Sequence, residues 1–166
     1  MALRDALLAE YDFEAANTRK ILERVPEDKF DWTPHPKSPT MGWLANHLTA
    51  LLSMGAGILA TDAIDITKME RPENVKTRQA LLDRFDQHDA AFRAALGGTG
   101  DEYLMQPWSF RAGEKEIFTM PRIGALRMMV FNHTIHHRTQ LGVYLRLNDI
   151  PLPSIYGPSA DEGNLP

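Results

Sequence analysis

Apolar residues recur at steps of three and four along most of the chain, the spacing that brings side chains to one face of an α-helix. Leu3, Leu7, Tyr11, Thr18, Ile21 and Val25 form one stripe, and Leu44, His47, Leu51, Met54 and Ile58 form a second. A third runs Leu81, Phe85, His88, Phe92, Leu96, and a fourth runs Ile123, Leu126, Val130, His133, His137, Leu141, Tyr144. Proline removes a backbone donor and clashes with the preceding turn, so proline-free intervals bound the helices. These intervals are 1–25, 40–71, 73–106 and 122–150. Gly97-Gly98 suits the stop of the third helix, and Thr119 with Pro121 suits the cap and first turn of the fourth. The pattern predicts an all-α fold, a four-helix bundle forming one domain over residues 1–166.

Two stretches break the helical rhythm. Tyr103 to Phe110 and Lys115 to Met120 read as two short extended runs about a turn at Gly113, a hairpin or ordered loop between helices 3 and 4. The segment after Asn148, rich in Pro, Ser and Gly, reads as coil that packs back on the bundle. Met41–Ala60 is free of formal charge over 20 residues, the length of a membrane span. It carries Asn46, His47, Thr49 and Ser53, which are costly in lipid, so it reads as a helix buried within a protein core and no membrane partner is expected.

Composition narrows the chemistry. There are 166 residues, 22 Asp+Glu against 18 Lys+Arg, a net charge of −4, and no cysteine. Thiolate zinc fingers, iron–sulfur clusters and cysteine nucleophiles are thereby excluded, and any metal must sit on His, Asp or Glu. The acidic balance and the lack of a basic block argue against a nucleic-acid partner. The opening Met-Ala-Leu-Arg-Asp leads straight into the first amphipathic stripe, unlike a secretory signal, so a cytoplasmic location is expected.

The histidines carry the informative pattern. His133 and His137 are four apart and project within about 40° of each other on a helix, a known ligand geometry. His47 lies on the stripe of another helix, and bundles build metal sites from side chains on facing helices. Three neutral imidazoles suit zinc, nickel or another borderline divalent ion and leave a coordination position open. The competing reading of each is a hydrogen-bonded core histidine. His136 projects to the other side of His133 and reads as a supporting or packing residue, His88 as a core histidine, and His35, between two prolines, as solvated.

The run Asn132-His-Thr-Ile-His-His-Arg-Thr-Gln-Leu-Gly-Val-Tyr-Leu-Arg, then Ile150-Pro and Ile155-Tyr-Gly-Pro-Ser, resembles the closing helix and tail of the DinB/YfiT-like superfamily of metal-dependent bundles. Trp43-Leu-Ala-Asn-His-Leu resembles its second helix, which holds its first ligand. The resemblance implies a divalent ion on His47, His133 and His137, zinc or nickel first and iron or manganese as alternatives. Thr139 stands where the family commonly has glycine, and it is expected to project away from the metal. Relatives include enzymes that use low-molecular-weight thiols, so the resemblance also implies a thiol-dependent S-transferase acting on small electrophiles. A metal ion makes a thiol acidic at neutral pH, and the sulfur would arrive with the cosubstrate. A metal-dependent hydrolase and a non-catalytic, stress-associated metal-binding dimer are the alternatives.

Two residues are candidates for handling protons. Glu14 falls on the first helix's buried stripe and must be either an ion-pair partner or a general base, because an unpaired buried carboxylate is costly. Gln140 shares the helical angle of His133 and can reach a ligand ring or a substrate. A homodimer is also expected, from the extra apolar positions Leu8, Leu22, Leu48, Leu52 and Leu59 beside the first two stripes.

Overall fold

The first three proline-free intervals each hold a helix of 20 residues: α1 (Leu3–Leu22), α2 (Met41–Ala60) and α3 (Arg78–Gly97). The computed structural model describes residues 2–70 and 72–163. Thr40 and Thr77 begin α2 and α3 by accepting the amide protons of Trp43 and Ala80 at 3.1 and 3.3 Å. A short helix, α4 (Asp101–Met105), follows, and the last interval holds α5 (Arg122–Leu126), a π-helical turn over Arg127–Phe131, and α6 (Asn132–Leu147). α2 packs on α3 and α6, and α1 packs on the other side of the same two helices.

The core is built largely from the predicted stripes brought face to face, while Leu3 at the head of the first is exposed and His133 and His137 in the fourth are half-buried. Leu7, Tyr11, Ile21, Leu44, Ile58, Phe85, Phe92 and Leu141 are all buried, and the uncharged α2 is the central core helix. Gly55 sets the separation of α2 and α3, since a Cβ there would lie 2.8 Å from the Phe92 ring. Leu22, Leu48, Leu52 and Leu59 are buried as well, and Leu8 packs against the same core. These residues are the width of the core stripe, so the homodimer expectation loses the surface on which it was based.

The all-α four-helix expectation is corrected on two points. First, the structure contains a three-stranded sheet in the order β1 (Ala63–Asp65), β2 (Pro107–Ala112), β3 (Lys115–Pro121). The hairpin β2–β3 turns at Gly113, whose φ of 62° suits glycine, and β1 pairs parallel to β2 in the register Ile64 with Phe110. Three residues are too few to carry a readable alternation, and the free edge of β2 is what makes Ala63–Asp65 a strand. Asp65 secures the pairing, its carboxylate accepting from the amides of Gly113 and Thr67 and from the Thr67 hydroxyl, which holds it down at about 2. Thr119 and Pro121 belong to β3, so the helix starts at Arg122 instead. Arg122 is fully buried, pairs with Asp62, and stacks 3.9 Å over the Tyr103 ring, tying the sheet to the helices.

Second, α4 is an added helix and the final helix is interrupted by its π turn. A π turn winds wider than an α turn, so it changes the phase of everything that follows. The buried stripe runs Leu126, Val130, Thr134, Arg138, Leu141, Leu145, in steps of four and then three and four. His133 and His137 therefore lie along the edge of the core, half-buried. The tail returns as expected: Ile150, Leu152 and Ile155 pack on the core, and Arg24 and Arg146 pair with Glu162 and Asp161.

Candidate metal centre

Three helical positions bring imidazoles to one point. His47 comes from α2, and His133 and His137 come from successive turns of α6. The Nε2 atoms of His47 and His133 are 3.4 Å apart, those of His133 and His137 are 2.8 Å apart, and the three ligand nitrogens lie within 4.8 Å of one another. Two imidazole nitrogens held by one tetrahedral zinc at about 2.0–2.1 Å lie about 3.4 Å apart. The donor set fits a divalent ion of the borderline class, and three such ligands leave a fourth position for a small molecule.

Neighbours set the orientation of the rings. The Nδ1 of His137 is 2.7 Å from Gln140 Oε1, and an amide oxygen only accepts, so Nδ1 carries the proton and Nε2 keeps its lone pair. The indole of Trp43, one turn before His47, stacks on that ring with centroids 4.6 Å apart and planes at 17°. The cluster is electrostatically prepared to stay neutral. Burial, then the charges that His137 and His133 would carry, push His47 down to about 4. Burial and the neighbouring histidine also lower His133, against a hydrogen bond with the Met129 backbone. Burial lowers His137, with the Gln140 bond opposing and His136 assisting.

The remaining sequence candidates lie elsewhere. The Glu14 carboxylate is 2.7 Å from Arg138 Nη1 and accepts from the Tyr156 hydroxyl at 2.6 Å, buried between α1, α6 and the tail. Arg138 also donates to the Glu14 carbonyl at 3.1 Å and to Thr18 Oγ1 at 3.3 Å. The structure thus brings Gln140 to the histidines and holds Glu14 in an ion pair. His88 donates from Nδ1 to the Thr49 carbonyl at 2.8 Å, and His136 is exposed with its ring against His137 at 4.8 Å. His35 lies in an exposed loop. Thr139 is exposed and bonds back to the Ile135 carbonyl at 2.8 Å, away from the cluster.

Sequence reasoning missed Trp43 and Tyr156 as parts of these two arrangements. Trp43 was legible, being four residues before His47 on the same helix face. Tyr156 was not, because its partner is 142 residues away and the tail that carries it has no helical periodicity.

A family model described as the DinB superfamily matches residues 10–141. The chain is 28% identical over 161 residues to an uncharacterized protein of Bacillus subtilis strain 168, YrdA, covering 95% of this chain and 90% of that one. Among solved structures it is similar to a DinB-like protein from Bacillus cereus, with a TM-score of 0.72, 23% identity and coverage of 92% and 97% of the two chains. The DinB-like YjoA of Bacillus subtilis has the same TM-score, 0.72, at 16% identity and 90% and 97% coverage. At these identities the two structural likenesses are likenesses of fold.

Proposed function

The chain belongs to the DinB superfamily, and from that membership and the histidine cluster we propose that it is a divalent-metal-dependent enzyme, a thiol-dependent S-transferase acting on small electrophiles. The observation that carries the reading is the convergence of three Nε2 atoms from α2 and α6 at the edge of the core. His47, His133 and His137 hold the ion, with zinc or nickel favoured by an all-imidazole set. The bound ion supplies the Lewis acidity that makes a thiol acidic at neutral pH.

The rest of the work falls to this chain's own groups. Gln140 holds His137 in the tautomer that donates from Nε2, and the Trp43 face holds His47 in plane. The half-buried setting admits a small thiol and a small electrophile while keeping the imidazoles neutral.

The test pairs metal analysis of protein purified without an affinity tag with a screen of low-molecular-weight thiols against 1-chloro-2,4-dinitrobenzene. Thiol-dependent turnover that requires the metal and disappears in His133→Ala is the expected result. Thiol-free ester hydrolysis would make it a hydrolase, and stoichiometric metal with no turnover would make it a binding protein.

A further inference from the structure

Beside the histidine cluster lies a cavity of about 360 Å³ formed by α2, the segment before α3, α3 itself and β2. Trp43 and His47 belong to its wall, so it adjoins the proposed metal site directly. Leu51, Met54 and Phe110 make the surface largely apolar, and methionine lets such a wall adapt to the shape of a ligand. Two polar groups from α3 enter this surface, Arg84 and His88.

Arg84 is held in place without being neutralised. Its Nη1 donates to the Glu73 carbonyl at 3.0 Å and to Asn46 Oδ1 at 3.3 Å, and among the described residues it meets no carboxylate. Arg122, Arg127 and Arg138, by contrast, each face one. Asn46 is fixed in turn, since its side chain both accepts from and donates to the backbone of Val75, at 2.9 and 3.0 Å. The guanidinium is therefore oriented by two neutral oxygens, with Nη2 and Nε left as a planar pair of donors, the arrangement that matches a carboxylate. Glu70 also lines the cavity, exposed to solvent. His88, committed through Nδ1–H to the Thr49 carbonyl, keeps Nε2 as an acceptor.

We propose that this cavity is the recognition site for the substrate's acidic, apolar part: a small organic acid whose carboxylate is taken by Arg84 and whose hydrocarbon body lies against Leu51, Met54 and Phe110. The proposal deepens the metal-enzyme reading by naming the substrate class, and its binding half stands without the metal.

The test uses 4-phenylbutyrate and its neutral counterpart 4-phenyl-1-butanol, titrated calorimetrically into the metal-stripped full chain, so that the acid cannot bind by ligating an ion. The acid is expected to bind about tenfold or more tighter than the alcohol. Arg84→Gln brings the two ligands to within about twofold, and Ala50→Trp, at an exposed position of α2 on the cavity wall, weakens both about tenfold. The double variant His133→Ala/His137→Ala keeps the acid's affinity. Equal affinity for acid and alcohol, a preference that survives Arg84→Gln, equal weakening of both ligands in Arg84→Gln, or no binding of the acid would overturn the proposal. Failure of the metal reading shows separately, as the absence of metal from the untagged protein.

Discussion

His137 and Arg138 are adjacent on α6, yet they belong to two polar clusters with opposite characters. Arg138 is almost fully buried and meets the Glu14 carboxylate at 2.7 Å, the Tyr156 hydroxyl at 2.9 Å and the Glu14 carbonyl at 3.1 Å. His137 is half-buried and shares its open side with two other imidazoles whose Nε2 atoms converge with its own. Opposite charges close upon each other, and the first cluster joins α1, α6 and the tail. The second cluster holds no carboxylate among the described residues to close it, and its three imidazole nitrogens are grouped as ligands for a cation would be. A rotation of about 100° per residue is enough to place one neighbour in the ion pair and the next in the histidine cluster.

The sharpest break in this comparison is made at the ligands. His47→Ala, His133→Ala and His137→Ala should each lose bound metal by more than the roughly 10–100-fold that removing a ligand's supporting partner costs. His88→Ala and His136→Ala should keep theirs, as measured by elemental analysis after gel filtration. Equal loss in all five would dissolve the distinction between the triad and its neighbours.

Next in size is the closed cluster. Glu14→Gln leaves the Arg138 charge buried and unpaired, a change that costs about 3–5 kcal/mol. In a domain of this length that is a fall in melting temperature of about 10 °C. Metal content and turnover per folded molecule should stay nearly constant. A rate lowered about 10²–10⁴-fold at full metal loading would instead make Glu14 a general base and merge the two clusters.

Gln140→Leu tests the one link that supports the open cluster from outside. Loss of the 2.7 Å bond to Nδ1 releases the His137 tautomer, and metal affinity should fall about 10–100-fold with little change in stability. Competition titration against a chromophoric chelator reads it directly.

The smallest effect is the pH response of the metal-stripped protein. His47 sits at about 4 when folded against its ordinary 6.5, so between these values the unfolded chain binds more protons. The stability that His47 contributes is complete above pH 6.5 and is lost as pH falls from 6.5 toward 4. His47→Ala should flatten that part of the melting-temperature profile. The same downward shifts of His47, His133 and His137 mean that protons compete with the metal at lower pH than they would at free histidine.

Much of this molecule was legible in its amino-acid order, because the information was local. Helix periodicity and the prolines placed α1, α2 and α3 each within its own proline-free interval, Gly97-Gly98 marked the stop of α3, and the i, i+4 spacing marked His133 and His137 as a pair, to which the family resemblance added His47. Glu14 was legible as a buried carboxylate in need of a partner, though the identity of that partner was not.

What tertiary structure alone decided was whatever depended on phase or on distant chain. The π turn at Arg127–Phe131 moved the histidines from the centre of the predicted stripe to its half-buried edge, a step that a regular pattern of 100° per residue does not contain. The strand Ala63–Asp65 exists because β2 offers an edge, and Tyr156 reaches Glu14 because the tail folds back across α1 and α6. Arg84, an ordinary charged position on the α3 pattern, faces the cavity beside His47 only because Asn46 and Glu73 hold it there. Local spacing selects which side chains share a helix face, but the packing of one helix against another sets what that face meets.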